Sequence, residues 1–173
     1  MSLETPRDLF LHELSDTMSA EHIVLKMLGE LQSETENTDV RKAVKAHETE
    51  TKQQIRNLEK VFKQLGEEPE DTTCHAAEGL REEHDALKEE KPSPIVLELG
   101  NLAGAAKTEH YEIASYTALI QMAKDLGETD VAALLKENLD QEKEMAKQVE
   151  ALAKQVGKEA KAQMKEEAAA AVA

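Results

Sequence analysis

The sequence predicts an all-α fold: a four-helix bundle made of two antiparallel helical hairpins, joined by a long crossover that contains a short helix. Three observations predict it. Helix-forming residues dominate, and glycine and proline are scarce at 7 and 4 of 173 residues. Apolar residues recur every three or four positions through four long stretches. The first two stretches and the last two are separated by short breaks, which make antiparallel neighbours, whereas the middle break is long. A chain of 173 residues is expected to form one domain with a sizeable core. Aromatic content is 2% with no Trp, so that core has to be packed from Leu, Ile, Val, Met and Ala.

The first helix is expected over 6–33. Thr5 is its N-cap, Pro6 its first residue, and Asp8 completes a capping-box pattern. Phe10, Leu14, Thr17, Glu21, Val24, Leu28 and Leu31 form its stripe. Thr38 is read as the cap of a second helix over 39–65, with Val40, Ala43 or Val44, His47, Glu50, Gln54, Leu58, Val61 and Leu65 along one side. Gly66 stops it and Pro69 confirms the break. Residues 67–93 make the crossover, with a short helix from His75 to Glu90. Ser93-Pro94 opens a third long helix, which runs to Leu126 before Gly127. Gly100 and Gly104 leave a smooth patch near its start, where another backbone can approach closely. Thr129 caps a fourth helix over 130–156, with Val131, Leu135, Asn138, Glu142, Met145, Val149, Leu152 and Val156 on its stripe. Gly157 is read as its end or fraying point. The domain is therefore 1–157, followed by a charged, then alanine-rich tail over 158–173 that has no stripe to bury.

Bulk properties exclude several function classes. A formal net charge of -15 repels phosphate backbones, and aromatic platforms for stacking bases are missing, so no nucleic-acid partner is expected. Cys74 is the single cysteine, which fits a reducing compartment. The N-terminus lacks a basic region followed by an apolar run, and no stretch is long and apolar enough to span a membrane. The expectation is a cytoplasmic chain with no membrane partner. No phosphate-binding glycine loop or nucleophile elbow appears.

Each long stripe is interrupted by an acid: Glu21, Glu50, Glu109 and Glu142. One such acid means little, because 36 of 173 residues are Asp or Glu and an acid at a stripe's edge is solvated. Their shared level is more informative. Each lies within about two residues of its helix midpoint, or about 3 Å along the axis. Midpoints of antiparallel helices share a level, so the four carboxylates can converge. Bare carboxylates in an apolar interior are costly, and protonation or metal binding resolves the cost. Two divalent cations balance four to five anionic ligands, and hard oxygen ligands suit Fe and Mn. Around this layer, Glu112 either faces the same site or sits on a solvated flank. His47 is a hydrogen-bonded core histidine or a ligand. Gln54 ligates or hydrogen-bonds a ligand. Tyr116 packs and hydrogen-bonds a carboxylate. His12, His22, His75 and His84 show no partner spacing and are expected to be exposed; Cys74 beside His75 is too isolated to read as a zinc site.

At these residues the chain resembles the YciE/YciF family of ferritin-like bacterial proteins. The stretches that carry the resemblance are Leu14 to Glu21, Ala46 to Glu50 with Gln54 and Ile55, Cys74 with Glu78-Gly-Leu80, Glu109 to Tyr116, and Leu134 to Glu137 with Glu142-Lys143. It covers about residues 5–156, and the Glu109–Tyr116 stretch is its most specific part. The resemblance implies a ferritin-like bundle that forms a homodimer and serves bacterial stress responses. It also implies a dinuclear metal site on Glu21, His47, Glu50, Gln54, Glu109, Glu112 and Glu142, with Fe favoured over Mn. One departure matters. Many ferritins and rubrerythrins carry Glu-x-x-His on two helices, but Gln53 and Met145 stand three positions after Glu50 and Glu142 here. The site is therefore richer in oxygen or holds metal less tightly, and oxidase or peroxidase activity does not carry over from those relatives. Two functions follow as expectations: a di-metal carboxylate protein that meets oxygen or peroxide, or a non-enzymatic acidic stress protein acting through dimerisation or a protein partner.

Overall fold

The computed structural model describes residues 3–170. Met1 and Ser2, and the last three residues of the tail, lie outside the described residues. Five helices form, α1 (Pro6–Glu34), α2 (Thr38–Leu65), α3 (His75–Glu89), α4 (Pro94–Asp125) and α5 (Thr129–Ala170), with no strand among the described residues. No described helix is long and apolar enough to cross a membrane.

Local chemistry sets the boundaries. The α1 capping box is complete: the Asp8 amide donates to Thr5 Oγ1 (3.2 Å), and Thr5 N–H donates to the Asp8 carboxylate (2.8 Å). The α2 cap is Asn37 rather than Thr38, because the Asn37 side chain accepts from the amides of Asp39 and Val40. Gly66 ends α2 at φ 71°, in the left-handed region that glycine adopts without a Cβ clash. Cys74 Sγ caps α3 by accepting from the Ala77 amide. The expected stop at Gly157 does not occur. One internal glycine costs only about 1 kcal/mol relative to alanine, and the neighbouring Val156 is fully buried. Beyond it, α5 continues to Ala170 along a mostly exposed path.

Four helices contact each other in a ring: α1 against α2 and α4, α5 against α2 and α4. The short helix α3 lies outside this ring, on α1 and α4. Two apolar clusters fill the interior. One contains Phe10, Leu14, Leu58, Tyr116, Leu119 and Leu135. The other contains Val24, Leu28, Val44, Leu102, Met145 and Val149. Going along the chain, α1 and α5 pass from the first cluster to the second, and α2 and α4 pass from the second to the first. Every contacting pair in the ring is thus antiparallel. Between the clusters, each of the four helices turns polar residues inward, and that layer holds the candidate site.

Candidate metal centre

The polar layer arises where the 3–4 rhythm of each helix meets a polar residue at an inward slot. Glu21 lies between Met18 and Val24 on α1, and Glu142 between Leu139 and Met145 on α5. On α4, Glu109 and Glu112 lie between Leu102 and Tyr116. On α2 the inward run is Val40, Val44, His47, Thr51, Gln54 and Leu58. Six of the sequence-predicted residues are buried here: Glu21, His47, Gln54, Glu109, Glu112 and Glu142 are each 3% exposed or less.

Glu50 differs. Its side chain is 42% exposed, because Thr51 takes the inward slot one residue later. It reaches the site only at its edge, with Oε2 3.5 Å from His47 Nδ1.

His47 stands at the centre of the group. Its Nε2 lies 3.3 Å from Glu109 Oε1 and 3.9 Å from Glu142 Oε2. His47, Glu109, Glu112 and Glu142 each offer one ligand atom, and these atoms lie within 4.8 Å of one another. Gln54 Nε2 donates to Glu142 Oε1. On the α1 side, Tyr116 donates to Glu21 Oε1.

Sequence reasoning missed the network behind these residues. Asn138 Nδ2 donates to the Tyr116 hydroxyl (3.0 Å) and to the Gln54 carbonyl (3.3 Å). Asn57 Nδ2 donates to Asn138 Oδ1 (2.8 Å), and Asn57 Oδ1 accepts from Gln53 (3.0 Å) and Lys60 (3.3 Å). A continuous hydrogen-bonded chain thus links buried Glu21 to Lys60 on the outside of α2. The signal was available: Asn138 precedes Glu142 by one helical turn on the same stripe.

Of the histidines expected to be exposed, His22 and His75 are. His84 is mostly covered and sits 2.9 Å from Glu34 Oε2, and His12 pairs with Glu70 at 3.2 Å. Their acidic partners come from distant parts of the chain, so spacing could not show them. Cys74 is fully buried, 2.9 Å from the Tyr111 hydroxyl.

Electrostatics follow from burial. Burial pushes the Glu21 carboxyl up to about 7, against the Tyr116 hydrogen bond that favours its charge. Burial and the neighbouring Glu142, Glu21 and Glu109 carboxylates hold Glu112 well above the usual carboxylate range. Burial raises Glu142 as well, with His47 opposing. Burial pulls the His47 imidazole down, but its contacts with Glu109 and Glu50 outweigh that and hold it well above the usual range. Protons thus offset the negative charge of the metal-free site.

The donor set also fits a cation. Glu21 Oε2, His47 Nε2, Gln54 Oε1, Glu109 Oε2, both Glu112 oxygens and Glu142 Oε2 are buried without a hydrogen-bond partner. Folded proteins leave only a few such atoms per 100 residues. Here they gather in one layer, and all but Gln54 belong to groups that ligate divalent metals. This cluster can hold a metal ion.

Residues 5–163 match the family described as domain of unknown function DUF892. The chain belongs to this family. Its relatives include protein YciF of Escherichia coli K12, 39% identical over 144 residues, which are 83% of this chain and 87% of that one. The crystal structure of that bacterium's stress protein YciF has a TM-score of 0.87 at 36% identity, covering 90% of this chain and 99% of the other. YcfI of Rhodopseudomonas palustris, described as a candidate structural protein, gives 0.84 at 36% identity over 86% and 95% of the two chains. A DUF892 chain thus carries the site described above. A protein of Xanthomonas campestris shares the fold, with a TM-score of 0.74 at 20% identity over 93% and 99% of the chains.

Proposed function

We propose that this protein is a ferritin-like four-helix bundle, with the segment carrying α3 as its crossover, whose buried centre binds two divalent metal ions, iron before manganese. The observation that carries this reading is the group of unpartnered buried carboxylate and imidazole atoms of His47, Glu109, Glu112 and Glu142. Glu21 and Gln54 complete the inner set, and Glu50 closes it from the solvent side.

Bound iron or manganese would supply one-electron chemistry with oxygen or peroxide in a stress response. The chain's own residues have separate tasks. Tyr116 holds one oxygen of Glu21 and leaves Oε2 free. Gln54 does the same for Glu142, fixing its rotamer. The two apolar clusters keep bulk water from the layer. A metal must displace the protons held by Glu112, Glu142 and His47, so binding releases protons and strengthens with pH.

Metal content tests the proposal. After Fe(II) reconstitution and desalting, about two equivalents per chain are expected. Less than about half an equivalent, in both reconstituted and aerobically purified protein, overturns it.

Two observations favour a second reading, a non-enzymatic protein acting through homodimerisation or a protein partner. The raised carboxyls allow the layer to stay closed by protons alone, and the Rhodopseudomonas relative is described as structural. This reading predicts the same fold and no stoichiometric metal.

A further inference from the structure

Outside the metal layer, α3 does not seal against α1 and α4. It leaves a cleft of about 320 Å³, at the small end of ordinary ligand pockets. Its walls are apolar: Val24, Met27 and Leu28 from α1, Leu80 and Leu87 from α3, and Gly104 from α4. The two glycines of the predicted smooth patch have different roles here. A methyl group at Gly100 would collide with Leu87 Cδ2, so Gly100 lets α3 approach. A methyl group at Gly104 would meet nothing within 4 Å, so Gly104 faces open space.

Outside the metal layer, to which Glu109 and its unpartnered Oε2 belong, one polar group in this wall has no partner. Asn101 is 3% exposed and lines the cleft, and neither its Oδ1 nor its Nδ2 makes a hydrogen bond. An uncompensated buried amide is costly, and the cleft that Asn101 lines is where a partner can reach it. The charged groups along the cleft are engaged elsewhere. Lys107 of α4 pairs with Glu83 of α3 at the rim. His84 pairs with Glu34. Glu109, on the inner wall, faces His47.

We infer that the cleft between α1, α3 and α4 binds a small uncharged amphiphile, its apolar body against the leucines and its hydroxyl or carboxamide head on the Asn101 amide. Asn101 offers both a donor and an acceptor, which a neutral donor–acceptor head satisfies in full. An anionic head would lie near Glu109 and find every lining cation already paired. A cationic head would give up its hydration in an apolar cleft where Glu83 is paired with Lys107 and Glu109 faces His47. Binding needs no metal, so the inference does not rest on the metal reading, although the bound head would sit beside the Glu109 wall of that centre.

The test uses the full chain, freed of metal by chelation, with octanamide and 1-octanol as probes and octanoate and octylamine as charged controls. Calorimetry is expected to show saturable 1:1 binding of the neutral probes, with the charged ones at least tenfold weaker. In amide NMR spectra the Asn101 side-chain NH2 resonance should shift on titration, a readout that needs no variant. Gly104→Leu fills the open space and should weaken octanamide at least tenfold without lowering the melting temperature. Asn101→Leu should weaken it similarly, again with the fold intact by circular dichroism. The inference is overturned by absence of saturable binding, by binding indifferent to Gly104→Leu, or by octylamine binding more tightly than octanamide. It is equally overturned if sedimentation equilibrium shows a dimer that Gly104→Leu dissociates, because a second copy would then cover the cleft.

Discussion

Glu112 is the residue on which the metal reading is easiest to separate from its rival. Both of its oxygens are buried and unpartnered, so removing them strands no other group. Glu112→Leu should stabilise the metal-free protein by about 1–3 kcal/mol in urea unfolding. The same substitution should abolish stoichiometric metal uptake. Tyr116→Phe acts in the other direction. It removes the hydroxyl that donates to Glu21 and accepts from Asn138, and should cost about 1–3 kcal/mol.

The same side chains fix a pH dependence. Glu21 titrates near 7 when folded, against 4.5 as its ordinary value. The folded state therefore holds a proton that the unfolded chain releases between these values, and stability falls as pH rises through that window. The change is on the order of 3 kcal/mol for this group alone. His47, also raised, contributes stability that is complete below its ordinary value of 6.5 and lost as pH rises through its folded value, the same direction. Asp8, Glu48, Glu70 and Glu150, half-buried or exposed, are lowered; their contribution is complete above about pH 5 and lost only in stronger acid. Melting of the metal-free protein should thus fall from pH 5 to pH 8. A flat or rising profile would contradict the buried proton-holding layer.

Most of this layer was legible because a mid-helix acid on an apolar stripe can be read from spacing alone. Glu21, Glu109 and Glu142 are such acids. Glu50 shows the limit. His47, Glu50 and Gln54 fit one stripe and His47, Thr51 and Gln54 fit another, about 100° apart at the middle position. Only packing against α1 and α5 selects Thr51. The pairing of His84 with Glu34 and the chain through Asn57 and Asn138 were not legible, since both depend on contacts between helices distant in sequence.

For the helices, local signals were reliable where backbone chemistry is local. The Thr5 capping box and the left-handed Gly66 are fixed by a few neighbouring residues, and both stand where the sequence placed them. Thr5→Ala should cost about 1 kcal/mol, measurable as a lower urea midpoint at unchanged slope. Gly157 misled because a glycine ends a helix only if the following backbone turns away. With Val156 packed at 0% exposure beside it, α5 has no reason to turn. Leu135, also at 0%, lies in the first apolar cluster. Leu135→Ala should cost about 2–5 kcal/mol through the cavity it leaves.

Across the whole molecule, two apolar clusters enclose one acidic layer in a chain of net charge -15. Charge of this size destabilises the compact state through self-repulsion. A divalent metal would relieve it from inside, as salt does from outside by screening. The most direct test of the central claim is a crystal of the protein soaked in Fe(II), with anomalous scattering recorded on both sides of the iron edge. The metal reading predicts edge-dependent peaks within coordination distance of His47, Glu109, Glu112 and Glu142. A map with no such peak in this layer, from crystals that took up iron elsewhere, would contradict it.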